Sequence, residues 1–396
     1  MDPVRNPYTP NAGAQPPAIV GRDDQLERFD LLLRRLMRGH TEQSMIITGL
    51  RGVGKTVLLG RFFYAATAQN WVVIDEEISK HGDADFRRNM AAWMRTALFS
   101  LSPKARWGDR MRRAAAVLKS FSVAVDTDGT LTAGLDMDAL TGFADRGSLH
   151  HDLTDLFVSV GEAAQEQDRG VVLLFDEVQF LAKPQLEALI SALHKTVQRS
   201  LPVTLVGAGL PQIAELAGDA KSYAERLFVF PTIGNLNETD ARRALTAPAD
   251  EEDAGWEEPA LREALGITAG YPYFLQELGY AAWPLAHGPT ITAEDVRDAI
   301  DQYQAKLDSS FFRVRFDRAT SMQRVYLRAM AELGPQPQKA ADVAALLNRT
   351  SPQVAPTRAE LINMGLLYTP EHGYAAFTVP HFDQYLRRAM PDLVVP

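Results

Sequence analysis

From Arg22 to Arg38 the apolar residues Leu26, Phe29, Leu32, Leu33, Leu36 and Met37 recur at helical spacing. A short apolar run, Met45-Ile46-Ile47-Thr48, follows and stops at a glycine. Helix, strand and glycine-rich loop are predicted in that order. Further strands are predicted at 71–74, 171–175, 203–206 and 228–230, each an apolar run of β-formers set off from the next by helical patterns. The intervening helices fall at 85–101, 104–121, 149–167 and 184–198. Strands that alternate with helices imply a parallel sheet. Segment 122–136 alternates around Asp128-Gly129 like a β-hairpin and is expected to be an insertion.

Beyond Pro231 the β-runs stop, and helices are predicted at 238–245, 259–269, 273–286 and 293–307. A third region begins near Arg318. It reads as helices at 321–333, 339–347 and 351–364, with a Pro335/Pro337 turn after the first and Gly365 closing the last. Short strands at 366–368 and 374–379 then flank Glu371-His372-Gly373. Three helices and a hairpin give the outline of a winged helix. Residues 1–18 hold five prolines without apolar periodicity and are expected to be an extended arm. The expected domains are thus the arm at 1–18, an α/β domain at 19–232, a helical lid at 233–308 and a winged helix at 309–396.

Composition narrows the chemistry. A chain of 396 residues exceeds one core and suggests two or three domains. With 46% hydrophobic and 23% charged residues it is an ordinary globular protein. No run approaches 18 apolar residues and the N-terminal stretch lacks an apolar segment, so no membrane span or secretory signal is expected and a cytosolic protein is. Zero cysteines exclude disulfides, thiolate metal sites and cysteine nucleophiles. The net charge of −9 would by itself argue against a nucleic-acid partner.

The strongest chemical signal is Gly49-Leu50-Arg51-Gly52-Val53-Gly54-Lys55-Thr56, which fits G-x-x-x-x-G-K-[ST] between an apolar strand and a helical pattern that starts at Val57. Glycines let backbone N–H groups turn toward phosphate oxygens, and the helix N-terminus adds partial positive charge. Lys55 is then placed for the β- and γ-phosphates and the Thr56 hydroxyl for Mg²⁺. A second signal is Val171-Val172-Leu173-Leu174-Phe175-Asp176-Glu177, a strand ending in two carboxylates. Asp176 is the candidate second Mg²⁺ ligand and Glu177 the candidate base for the attacking water. The cofactors implied are ATP and Mg²⁺. The Asp-Glu pair favours hydrolysis over phosphoryl transfer to a small acceptor, and a small-molecule kinase is the weaker alternative.

These motifs resemble the AAA+ and STAND superfamily of P-loop ATPases, in particular the origin-recognition-like and archaeal-type ATPase branch. The resemblance covers Val20-Gly21-Arg22-Asp23 before the nucleotide domain, both Walker motifs, Gly270-Tyr271-Pro272 in the lid, and the C-terminal winged helix. It implies that the backbone at Val20, Gly21 and Arg22 lies against adenine and that Pro272 packs on the base or ribose. The nucleotide site it implies is therefore Val20, Gly21, Arg22, Gly49, Leu50, Arg51, Gly52, Val53, Gly54, Lys55, Thr56, Val57 and Pro272. Two departures stand out. Val206-Gly207-Ala208-Gly209 ends the fourth strand without the polar sensor usual in related ATPases, and the lid lacks a sensor arginine in its third helix. Both imply slow hydrolysis and a nucleotide-dependent switch. Arg226 stands where the superfamily often places an arginine finger acting in a neighbouring subunit; a surface Arg paired with Glu225 or another carboxylate is the alternative.

The charge argument changes once it is divided along the chain. Residues 306–396 hold 11 Lys plus Arg against 8 Asp plus Glu, which is +3; residues 1–305 hold 30 against 42, which is −12. Candidate DNA contacts are Arg349, Ser351 and Arg358, with Thr350, Gln353 and Thr357 around them. Arg313, Arg315 and Arg318 are candidate phosphate contacts. Double-stranded DNA is the expected partner, with a second copy of the chain or another protein as alternatives, since winged helices also serve as protein interfaces.

Overall fold

All five strands predicted before residue 232 form, and they line up in one parallel sheet. In this computed structural model the described residues are all except Ala12, Ala124, Thr127, Asp128, Asp136 and Pro396. They divide into two units, one of residues 22–48 and 55–232, the other of 1–21, 49–54 and 233–396.

The first unit runs α1 (Asp23–Met37), β1 (Ser44–Thr48), α2 (Lys55–Ala68), β2 (Val72–Glu77), α3 (Asp83–Leu101), α4 (Asp109–Ser122), α5 (Leu149–Glu166), β3 (Val171–Asp176), α6 (Lys183–Gln198), β4 (Val203–Gly209), α7 (Ile213–Ala220), α8 (Ala224–Leu227) and β5 (Phe228–Val229). The sheet order is β2-β3-β4-β1-β5. Val206 of β4 faces Met45 of β1 on one side and Leu174 of β3 on the other. Because the strands are parallel, the strand leading to Gly49 and the strand carrying Asp176 end at the same edge, where α/β sheets bind ligands. β1 and β4 are buried along their whole length, as a sheet covered on both faces requires.

Between β2 and β3, helices α3, α4 and α5 pack through Met94, Leu98, Leu118, Phe121, Leu156 and Phe157, all fully buried. They are joined by a buried ion pair that periodicity does not reveal. Arg87 of α3 donates to the Asp152 carboxylate of α5 and, at 3.0 Å, to the Phe121 carbonyl of α4. The expected hairpin at 122–136 differs from what is found. α4 continues to Ser122, and the described residues beyond it form turns without strand pairing. The Asp126 carboxylate accepts the N–H groups of Leu131 and Thr132 at 3.1 and 2.9 Å, so a side chain takes the bonds a ladder would have made. Asp128 and Asp136, at the centre and end of the predicted hairpin, lie outside the described residues.

The second unit is built mainly of helices: α9 (Glu238–Glu251), α10 (Glu258–Thr268), α11 (Pro272–Ala282) and α12 (Ala293–Lys306), with β6 (Gly255–Trp256) and β7 (Thr290–Ile291) pairing in parallel. A π-helical turn, Leu307–Phe312, passes from α12 into α13 (Arg313–Asp317). Then come α14 (Ser321–Leu333), β8 (Gln338–Lys339), α15 (Ala340–Leu346), α16 (Ser351–Asn363), β9 (Leu367–Tyr368), β10 (Tyr374–Phe377) and α17 (Phe382–Ala389). The last three-stranded sheet is antiparallel, in the order β8-β10-β9. The proline-rich N-terminus forms a short 3-10 turn at Pro3–Arg5 and docks on the helices of this unit. Tyr8 is 1% exposed, its hydroxyl donates to the Leu245 carbonyl at 2.6 Å and accepts from the Trp256 indole at 2.7 Å.

Candidate functional site

The candidate site residues of the first unit lie at the start of α2 and in the turn after β3. Thr56, in the first turn of α2, donates its hydroxyl to the Asp176 carboxylate at 2.5 Å. The other Asp176 oxygen accepts the Glu177 N–H at 2.8 Å. A hydroxyl and a carboxylate that converge at the end of a parallel sheet are hard oxygen donors, the set that suits Mg²⁺. Burial pushes the Asp176 carboxyl up from its ordinary range, against the Thr56 and Glu177 hydrogen bonds and the Lys55 charge, which favour its ionised form. Asp75, on β2, is also pushed up, first by burial and then by the Asp176 charge. A divalent cation between Thr56 and Asp176 would offset that crowding of negative charge. Lys55 is buried, which is unusual for a lysine and consistent with a side chain committed to charge partners.

The phosphate loop is shaped by glycines. Gly52 has φ of 80° and Gly54 of 94°, in the region where side chains other than glycine are strained. A Cβ on Gly52 would stand 2.8 Å from the Tyr271 hydroxyl, so the glycine also allows a close approach. Tyr271, the middle residue of Gly270-Tyr271-Pro272, is fully buried and caps α11, where Pro272 occupies the first turn. The next N–H, of Tyr273, donates to the Gly52 carbonyl at 3.2 Å, and the Arg51 N–H donates to the Thr378 carbonyl at 3.3 Å. Gly21 sits against Asp240 and Leu236, and Leu236 and Gly270 line a cleft of about 360 Å³. Val20 and Val53 are buried, Leu50 and Val57 half-buried.

Residues 18–206 match the family described as the AAA ATPase domain. The chain carries an AAA+ P-loop ATPase domain. Residues 309–386 of this ATPase match a second family, described as a domain of unknown function (DUF8462). No curated protein matches the chain. Among solved structures, the Walker-type ATPase of Pyrococcus abyssi is 14% identical over 93% of this chain and 96% of its own, with a TM-score of 0.57, a likeness of fold. The Orc1 protein of Aeropyrum pernix, solved in complex with DNA, is 15% identical over 97% and 96%, with a TM-score of 0.45. The RuvB Holliday junction branch migration motor of Thermotoga maritima is 15% identical over 90% and 92%, with a TM-score of 0.47.

Other residues singled out by sequence fare differently in the ATPase. Arg226 lies exposed on α8, and among the described residues no ion pair engages it, Glu225 included. Arg349 is half-exposed and Ser351 exposed at the start of α16. Arg358, expected to face DNA, is hydrogen-bonded within the fold. Its guanidinium turns onto the hairpin and donates to the Tyr374 carbonyl at 2.5 Å and weakly to the Thr369 hydroxyl at 3.4 Å, because α16 packs against β9 on this side. Thr350 and Gln353 are likewise occupied, forming a capping box in which the Thr350 N–H donates to Gln353 at 2.8 Å. Arg315 is half-buried. Read as an alternating strand, Arg313 and Arg315 would share a face, but α13 places them about 200° apart. Arg315 packs 4.1 Å over the Phe311 ring and burial lowers its pKa to about 10. Arg313 and Arg318 are exposed, Arg313 within 3.5 Å of Asp317.

Sequence reasoning missed Tyr271 as a neighbour of the phosphate loop and Gln179 as a neighbour of Glu177. The first was within the Gly-Tyr-Pro element itself; nothing in the one-dimensional pattern marks the second.

Proposed function

We propose that this AAA+ ATPase belongs to the origin-recognition-like branch and is a slow ATP-hydrolysing switch, in which nucleotide state governs DNA binding by a C-terminal winged helix. The observation that carries the nucleotide half is the Thr56–Asp176 contact, a pair of hard oxygen donors of the kind that suits Mg²⁺. When bound, Mg²⁺ would supply charge neutralisation for the phosphates. Lys55 adds a fixed positive charge, the loop N–H groups orient the phosphate oxygens, and Glu177 takes a proton from water. Slow turnover is supported by the absence of a polar side chain along Val206-Gly207-Ala208-Gly209.

The switch is supported by the hydrogen bonds of the loop itself. Arg51 and Gly52, which must adjust when phosphate is held, bond Thr378 and Tyr273, so a shift of the loop is felt in both the C-terminal region and α11. The winged-helix reading rests on the order helix, strand, helix, helix and two strands from α14 to β10, with Arg349 and Ser351 at the solvent-facing start of α16.

Lys55→Ala is expected to abolish nucleotide binding, and Glu177→Gln to keep it while turnover falls at least a hundredfold. Wild-type turnover is expected to lie below about 1 per second, the low end for enzymes. Normal hydrolysis by Glu177→Gln would remove Glu177 from the base role. For DNA, titration of a duplex at increasing salt is expected to give an affinity that falls with salt and weakens in Arg349→Ala. A nucleotide-gated protein-interaction switch is the second reading. It is favoured by Arg315 and Arg358, whose engagement inside the fold leaves fewer cations for phosphate. Absence of duplex binding at low salt decides for it.

A further inference from the structure

The turn after β3 holds a polar side chain that the hydrolytic reading leaves unused. Gln179 lies in the single 3-10 turn Val178–Phe180, which the chain enters through Glu177 in the left-handed conformation, φ 53° and ψ 37°. That conformation is uncommon for a residue with a Cβ. It folds the chain back so that the Gln179 amide comes beside the Glu177 carboxylate. Nε2 of Gln179 donates to Oε2 of Glu177, and Oε1 accepts the Leu210 N–H, 3.0 Å away, just past the end of β4. A carboxylate needs a donor and an N–H needs an acceptor, so the two partners fix a single orientation of the amide. A Cβ on Gly209 would stand 2.7 Å from the same Oε1, so this glycine leaves the room the amide occupies. β4 ends without a polar side chain of its own at this edge.

We propose that Gln179 is a positioning residue for ATP hydrolysis: its amide ties the Glu177 carboxylate to the Leu210 N–H and holds it in the orientation from which it takes the proton of the attacking water. The inference rests on the reading of Glu177 as the base. In that step the water oxygen bonds the terminal phosphorus, and the bond from phosphorus to the bridging oxygen breaks with its electron pair leaving on ADP. The water proton passes to Glu177; Gln179 exchanges no proton. A free glutamate side chain samples several rotamers, and restricting it to one raises the fraction of encounters in which the base is aligned. The polar group that β4 lacks is thereby supplied from the turn after β3, and a displacement of the β4 end would release the base.

Steady-state ATP turnover, nucleotide affinity and backbone amide exchange on the full chain test this. Gln179→Met, which keeps the length and removes both hydrogen bonds, is expected to lower kcat about tenfold or more with nucleotide affinity within about twofold. Exchange of the Leu210 amide is expected to quicken. Gly209→Ala, which pushes the amide aside without removing it, is expected to act in the same direction. In a Glu177→Gln background, Gln179→Met is expected to cost nothing further, because a residue acting through another adds no loss once that other is gone. Gln179→Glu, which keeps an acceptor for Leu210 and loses the donor, serves if the Met variant does not fold. Wild-type kcat in Gln179→Met and Gly209→Ala, or an equal further loss in the double variant, overturns the proposal while leaving Glu177 as base. Full turnover by Glu177→Gln alone overturns the underlying reading as well.

Discussion

At the scale of single residues, burial sets the chemistry as much as residue type does. Thr56 and Asp176 are common residues, and they form a candidate metal site because the sheet holds one oxygen 2.5 Å from the other. Glu277 on α11 gives a separable test of the same physics. It is buried, its carboxylate accepts the Tyr273 hydroxyl at 2.7 Å, and burial, outweighing that hydrogen bond and the Lys306 charge, raises its pKa. A carboxyl whose pKa is raised on folding binds its proton more tightly in the folded state. Stability is therefore present in full at low pH and is lost as pH rises from the unfolded value through the folded one. Glu277→Gln keeps an acceptor for Tyr273 and removes the charge. The variant should melt above wild type at pH 7.5, and the difference should vanish near about pH 4, where both side chains are neutral. An equal difference at the two pH values would show that the charge is not the cause.

At the scale of elements, the lengths and order of helices and strands follow from periodicity, while the ties between them follow from side chains that periodicity ignores. The Arg87–Asp152 pair is the clearest case, since it fastens α3, α4 and α5 through one guanidinium. Arg87→Met would leave Asp152 buried, with the Arg146 N–H at 2.9 Å as its side chain's remaining hydrogen-bond partner among the described residues, and should destabilise the unit by about 3–5 kcal/mol. Replacing both, Arg87→Met with Asp152→Leu, should recover much of that loss; denaturant unfolding of the two variants checks it. The same limit explains the errors of the sequence reading. The segment after α4 alternates like a hairpin, but Asp126 captures its N–H groups. The run Arg313, Arg315, Arg318 looks like one basic face, but the π-turn before it continues a helix and turns Arg315 inward. α17 was legible in principle, since Phe382, Tyr385 and Leu386 follow i, i+3, i+4 spacing, yet eight residues after a Pro-His pair make a weak signal.

At the scale of the whole molecule, residues distant in sequence come together within each unit. The N-terminal arm is the example with the largest expected effect. Its prolines predict an extended arm, but Pro3–Arg5 forms a 3-10 turn, and Tyr8 fills a gap beside Gly279 and bonds both Leu245 and Trp256. Tyr8→Ala should lower the stability of that unit by about 3–5 kcal/mol, read by calorimetry, and deletion of residues 1–10 should do no less. An unchanged transition in both would mean that the arm is a passive strap. No helix among the described residues is long and apolar enough to cross a membrane. By itself the sequence determined the phosphate loop, the strand that ends in Asp176 and Glu177, the parallel α/β sheet and the division of charge, because these depend on local spacing and on residue type. Only the tertiary structure decided that Arg358 and Arg315 are engaged inside the fold, that Tyr271 leans on Gly52 and that Gln179 holds Glu177. Those pairings depend on which faces the sheet and the helices bring within 3 Å, and no one-dimensional pattern encodes that distance.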